Sequence, residues 1–199
     1  MEMEIDMGLP EVATQEEWLA ARQELRAMEE ELARAREALT VERRRLPMVE
    51  VIKDYAFDGP QGRIGLLDLF EGRRQLLVYH FWFEPGAEPC EGCSMWMRNL
   101  GSVADLNALG TSLALVSPAA SADIESVKER RSWAVPWFST VGDDFSADHG
   151  YTGKAQITVF VRDGNTIFRT YVTASGRDLE TLSNHWTLLD LTPLGAESA

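Results

Sequence analysis

The chain of 199 residues holds two cysteines, Cys90 and Cys93, in the run Cys90-Glu91-Gly92-Cys93. Sulfurs three residues apart suit two chemistries. If the pair opens a helix, unpaired N–H groups at the helix start favour a thiolate on the first sulfur. The second then lies one turn deeper, where it can resolve a mixed disulfide. Two thiolates joined by an imidazole make instead a soft site for Cu(I), or for Zn(II) with a fourth ligand. The imidazoles on offer are His80, His149 and His185. His80 lies in the apolar run before the cysteines and His149 in the polar run Asp148-His149-Gly150-Tyr151, so the alternative metal set is Cys90, Cys93, His149 and His80. Glu84, Glu88 and Glu91 crowd the same loop; they oppose thiol ionisation and favour a cation. The bland reading makes both cysteines small buried side chains and the histidines core or surface residues.

Composition narrows the classes. Hydrophobic content of 45% and charged content of 26% fit a globular protein. The net charge of −13 is spread along the chain without a basic patch, which disfavours nucleic acid and anionic lipid as partners. The opening MEMEIDMGLP has no signal-peptide pattern, and no apolar run approaches the roughly 20 residues of a membrane helix, so a cytoplasmic protein without a membrane partner is expected. In that reducing compartment a lone C-x-x-C points to redox or metal chemistry before a structural disulfide. Ser-His-Asp, P-loop and dinucleotide patterns are missing.

The elements that must position the pair follow from periodicity. Leu76–Phe83 reads as a buried strand, Glu84-Pro85-Gly86 as a turn, and Cys93, Trp96, Met97, Leu100 and Val103 as one face of a helix. Ser112–Ser117 is a second buried strand, so the unit is βαβ and parallel. Ser121 caps a helix to about Ser132, Trp133–Thr140 is extended around Pro136, and Gly142–Gly150 is polar with one helical turn. Ile157–Val161 and Thr166–Val172 form a hairpin across Asp163-Gly164, and a helix over 177–189 closes the chain. Upstream, Gly65–Phe70 is a short helical turn. Residues 1–13 are expected to be a flexible acidic segment, 14–46 a helical extension and 47–199 the domain. The extension starts at the capping box Thr14-Gln15-Glu16-Glu17, carries Trp18, Leu25, Leu32, Leu39 and Leu46 seven residues apart, and pairs Glu30 with Arg34. It is either a helix packed on its own domain or an arm for a homodimer.

This order of elements is that of an α/β thioredoxin-like fold, a central mixed sheet flanked by helices, here with a long N-terminal helix. The runs DYAFDGPQG, LLDLFEGRRQLLVYHFWF, CEGCS, VPWFSTVGDDF, VFVRDG and LLDLTPLG resemble an uncharacterised family of thioredoxin-like proteins labelled predicted dithiol-disulfide oxidoreductases, distantly related to peroxiredoxins. The resemblance covers about residues 14–195 and implies a redox C-x-x-C on the first helix of the βαβ unit. Cys90 is then the nucleophile, Cys93 the resolver, and Pro136 the candidate for the cis-proline loop opposite them. Alternation along Tyr79–Phe83 sends aromatics to both faces, leaving Trp82 or Trp137, one of the two, to line an apolar substrate pocket. The partner would be a thiol or disulfide substrate or another small molecule, with no cofactor in the main reading and copper or zinc in the alternative. The peroxiredoxin run P-x-x-x-T-x-x-C is broken: Pro89 stands where Thr is required, and Cys93 is one position out of register. The remaining alternative is a non-catalytic dimeric interaction protein.

Overall fold

The computed structural model describes residues 9–140, 142, 144–151, 153–173, 179 and 181–195. It divides into two compact units, Met1–Leu46 with His185–Ala199, and Pro47–Asn184. Most of the expected flexible segment, residues 1–8, lies outside the described residues, as do 174–178 and 180 around the expected start of the last helix. Among the described residues no helix is long and apolar enough to cross a membrane.

The first unit is built on α1, Gln15–Arg45. Both halves of the capping box form: Glu17 N–H donates to Thr14 Oγ1 at 3.3 Å, and Thr14 N–H donates to Glu17 Oε2 at 2.8 Å. Arg43, Arg44 and Arg45 face the negative end of the helix dipole in the last turn, and Pro47 stops propagation just beyond. Glu30 pairs backwards with Arg26 at 3.2 Å rather than with Arg34. No residue of α1 is buried.

The second unit is one sheet. Its described strands are β1 (Val49–Glu50), β2 (Ala56–Gly59), β3 (Gly62–Gly65), β4 (Gln75–His80), β5 (Thr111–Ser117), β6 (Trp137–Thr140), β7 (Gln156–Asp163) and β8 (Thr166–Val172). They lie in the order β1-β8-β7-β4-β5-β6-β2-β3. β4, β5 and β6 are mutually parallel, and β7 runs antiparallel to β4 with His80 opposite Gln156. A 3-10 turn, Asp68–Phe70, precedes β4. The unit's helices are α2 (Glu91–Arg98), α3 (Val103–Ala108), α4 (Ser121–Arg131) and α5 (Asp144–Asp148); α6 (Asn184–Leu189) closes the chain and, from His185 on, belongs to the first unit.

Alternation along β4 splits the core into two layers. Tyr79 and, beyond the strand, Phe81 and Phe83 pack with Cys93 and Trp96 of α2, Ile124 and Val127 of α4, Leu113, Leu115 and Trp137. Leu76 and Val78 face the other way, against Phe57, Leu66, Leu69, Phe70, Phe145 and Phe160. Each such side chain contributes about 1.5–3 kcal/mol by leaving water.

Four boundaries differ from the sequence reading, the first being that of the closing helix: residues 181–183 are not helical, and α6 starts at Asn184 rather than at 177. β4 ends at His80 rather than Phe83, although the chain stays extended, with Phe81 N–H on the Val116 carbonyl at 2.9 Å and Ala119 N–H on the Phe83 carbonyl at 3.0 Å. The single stripe from Cys93 to Val103 spans two helices. Gly101 adopts φ +80°, which helical L-residues avoid, and Ser102 Oγ caps α3 by accepting the Asp105 N–H at 3.3 Å. Ser121 is inside α4, and Ala120 holds the cap position without a side-chain bond.

Candidate functional site: a cysteine pair at a helix start

The C-terminal end of β4 delivers the chain into the site. The turn at Glu84–Ala87 reverses it, and Cys90 N–H returns to the Trp82 carbonyl at 3.1 Å. Cys90 is the N-cap residue of α2, with extended rather than helical backbone angles. Its sulfur does what a capping oxygen does elsewhere: it accepts the Cys93 N–H at 3.3 Å. Its carbonyl accepts Ser94 N–H at 2.9 Å and Ser94 Oγ–H at 2.8 Å, which fixes the first turn. A backbone donor aimed at sulfur stabilises negative charge there. Gly92 leaves one flank of that sulfur bare; a Cβ there would stand 3.9 Å from Cys90 Sγ.

The two sulfurs are inequivalent. Both thiols are free, Cys90 half-buried and Cys93 3% exposed. Burial pushes the Cys93 thiol up to about 11, opposed by hydrogen bonds from the Tyr79 hydroxyl and the Trp82 backbone. Tyr79 is held for this by stacking on Trp96, ring centroids 4.3 Å apart. Glu91, expected to oppose ionisation, is engaged by Arg98 at 2.9 Å and Arg131 at 3.5 Å. Those guanidiniums, Arg98 first, hold its carboxyl below the usual range.

Trp82 and Trp137 part company. Trp82 is 47% exposed beside the cysteine loop, whereas Trp137 is 1% exposed, donates its indole N–H to Ser117 Oγ at 2.9 Å and packs on Phe81 and Phe83. Only Trp82 offers a surface. Pro136 is not brought to the cysteines. It precedes parallel β6, gives its carbonyl to Leu115 N–H at 2.8 Å, and lines a cavity of about 350 Å³ with Gly59, Asp68, Leu69, Glu71 and Lys128. No described peptide bond is cis, that before Pro136 included. The segment that does meet the cysteine end of β4 is the one entering β7, where Ala155 packs in the same layer as Cys90.

His80 and His149 are kept apart from the cysteines by the sheet. His80 points into the Val78 layer, buried, stacked between Phe145 at 5.5 Å and Tyr151 at 5.4 Å. Thr158 Oγ1, which accepts from Gln156 Nε2 at 3.3 Å, lies 2.9 Å from His80 Nε2, and Ser146 Oγ lies 3.3 Å from His80 Nδ1, so both ring nitrogens have a hydroxyl partner. Burial lowers the His80 pKa to about 3, which leaves the ring neutral. His149, in the same layer against Tyr55, Phe145 and Phe160, accepts from Arg169 on Nδ1 at 3.3 Å; burial, then Arg169, lowers it to about 4. Among the described residues no three His, Cys, Asp or Glu side chains gather as metal ligands. The set Cys90, Cys93, His149 and His80 is therefore not assembled.

One residue at the site carried no signal in the sequence. Tyr151, in the polar loop before β7, lays its ring on His80. Its hydroxyl is buried without a hydrogen-bond partner among the described residues. Burial, followed by the charges of Glu84, Cys93 and Cys90, raises it to about 12, so it remains a proton donor. A tyrosine among Gly, Asp and Thr reads as loop; only its position over the end of β4 gives it a part.

A family described as bacterial protein of unknown function, DUF899, matches residues 7–199. The chain belongs to this family. No curated protein matches it. Among solved structures it is similar to a thiol:disulfide interchange protein from Bacteroides sp., with TM-score 0.51 and 17% identity over 70% of this chain and 91% of that one. Weaker likenesses are a pneumococcal exposed lipoprotein thioredoxin from Streptococcus pneumoniae, TM-score 0.49 and 12% identity over 70% and 100%, and Prx3 from Vibrio vulnificus, TM-score 0.46 and 15% identity over 70% and 98%. At such identities the likeness is one of fold, and the fold is thioredoxin-like.

Proposed function

We propose that this DUF899 protein is a thiol–disulfide oxidoreductase with Cys90 as nucleophile and Cys93 as resolver. The observation that carries the reading is the capping bond: the Cys93 N–H points at a half-buried Cys90 sulfur while the second sulfur waits one turn deeper. The Cys90 thiolate attacks one sulfur of a substrate disulfide. A Cys90–substrate bond forms, the substrate S–S bond breaks, and the departing thiolate takes the bonding pair. Cys93 then gives up its proton and attacks Cys90. A Cys90–Cys93 bond forms, and the second substrate thiolate leaves with a proton. Two electrons pass from the dithiol to the substrate. The high affinity of Cys93 for its proton delays the second step, and the Tyr79 hydroxyl lowers that barrier by hydrogen-bonding the emerging thiolate. Exposed Trp82 supplies an apolar surface for the substrate beside Cys90.

Oxidised glutathione tests the order of events. With the Cys93→Ser chain, intact mass should show one glutathione held on Cys90; with Cys90→Ser, no adduct; with the unaltered chain, a loss of two hydrogens and no adduct. An adduct on Cys93 in the Cys90→Ser chain at the same rate would overturn the assignment.

A further inference from the structure

α1 is a helix without an inside. It runs for 31 residues, about 46 Å at 1.5 Å per residue, and buries none of them. Its apolar residues are nevertheless placed as if for burial. Trp18, Leu25, Leu32, Leu39 and Leu46 recur every seventh position, with Ala21, Met28 and Ala35 three residues after the first three of these and thus on the same face. The large members of this seam are between 46% and 66% exposed. A seven-residue repeat is the pattern of a helix packed along another helix, because 3.5 residues per turn keeps one seam facing the partner.

The charges say which helix. Residues 15–31 carry six Glu and two Arg, a net −4, whereas residues 32–45 carry five Arg and two Glu, a net +3. Two copies side by side in the same direction would set acidic half on acidic half and basic on basic. Reversed, each acidic half meets a basic one. The seam fits the reversed arrangement in detail. With the twofold axis at Glu30, Leu25 meets Ala35 of the second copy and Leu39 meets Ala21, large side chains over small ones, and Leu32 meets Met28 next to the axis. In the same register Glu16 and Glu17 face Arg44 and Arg43.

We propose that α1 binds a second copy of this chain, forming an antiparallel two-helix coiled coil that makes the protein a homodimer. The proposal is independent of the sulfur chemistry. Light scattering on the full chain at tens of micromolar should give twice the chain mass. Leu25→Asp with Leu39→Asp, both on solvent-facing positions of the single chain, should halve that mass with an unchanged circular dichroism spectrum outside the helical loss from α1. Direction is read by cross-linking in full chains whose native thiols are removed by Cys90→Ser and Cys93→Ser. A mixture of Leu25→Cys and Ala35→Cys chains should form the mixed disulfide. Trp18→Cys alone should form none, since the reversed partner's position 18 lies about 36 Å away. A single chain mass for the unaltered protein would overturn the proposal, whatever else α1 binds. Ready cross-linking through Trp18→Cys would overturn the antiparallel arrangement.

Discussion

Cys90 and Cys93 show how three residues of separation make two different sulfurs: one caps a helix and meets solvent, the other is enclosed by Tyr79, Trp96 and Phe81. The two tryptophans differ in the same sense. Trp137→Ala should cost about 3–5 kcal/mol in denaturant unfolding, since it empties the centre of one core layer and removes the indole N–H that Ser117 Oγ accepts. Trp82→Ala should leave stability within about 0.5 kcal/mol. It should instead raise KM for an aromatic disulfide about tenfold with kcat little changed, the value of about 1.4 kcal/mol of apolar contact. A Trp82→Ala chain with unaltered KM would remove that indole from the substrate surface. Tyr151→Phe keeps the ring on His80 and deletes only the buried hydroxyl. It should slow release of the mixed disulfide formed on Cys90 more than its formation, measured by quenching the unaltered and Tyr151→Phe chains during turnover.

Among the elements, those defined by neighbours in sequence were legible and those defined by pairing were not. The capping box, the Asp163-Gly164 hairpin, the turn before Cys90 and the buried strands each rest on a few adjacent residues, and each is present. Pro136 was misplaced because its neighbours depend on sheet order. Nothing local tells that Trp137–Thr140 lies parallel to β5 while the strand from Gln156 returns beside β4. The facing of His80 is a matter of strand phase, and Tyr151 becomes visible only once β4 and β7 are paired. The continuous stripe through Leu100 hid a break that Gly101 makes by its conformation rather than by polarity. Pairing also makes one glycine of β2 matter. A Cβ on Gly59 would lie 2.7 Å from the Phe138 ring on β6. Gly59→Ala should therefore destabilise the chain by about 1–3 kcal/mol. Unfolding at the same denaturant midpoint as the parent would show that the Phe138 ring yields freely.

For the molecule as a whole, the buried histidines set the acid limit. Both have pKa values lowered by burial, from 6.5 to about 3 for His80 and about 4 for His149, so the folded chain holds them neutral while the unfolded chain protonates them. Their stabilising effect is complete above pH 6.5 and is lost as pH falls from there towards 3 to 4. Cys93 acts at the other end: its thiol is raised from 9.0 to about 11, so the stability it confers is complete below pH 9 and fades towards 11. Denaturant unfolding should thus show a plateau between about pH 6.5 and 9, with an acid loss of at least ~2 kcal/mol by pH 4. His149→Leu should flatten the acid limb and leave the alkaline one alone; a limb of unchanged slope would place the acid sensitivity elsewhere.

Successive residues of β4 look to opposite sides, Tyr79 to the sulfurs and His80 to the polar cluster behind them. Inherited change can therefore act on the two sides separately. A lineage moving to an acidic habitat could replace the residues around His80 and keep its sulfur chemistry. One adopting a new substrate could rework the Trp82 side and keep its tolerance of acid.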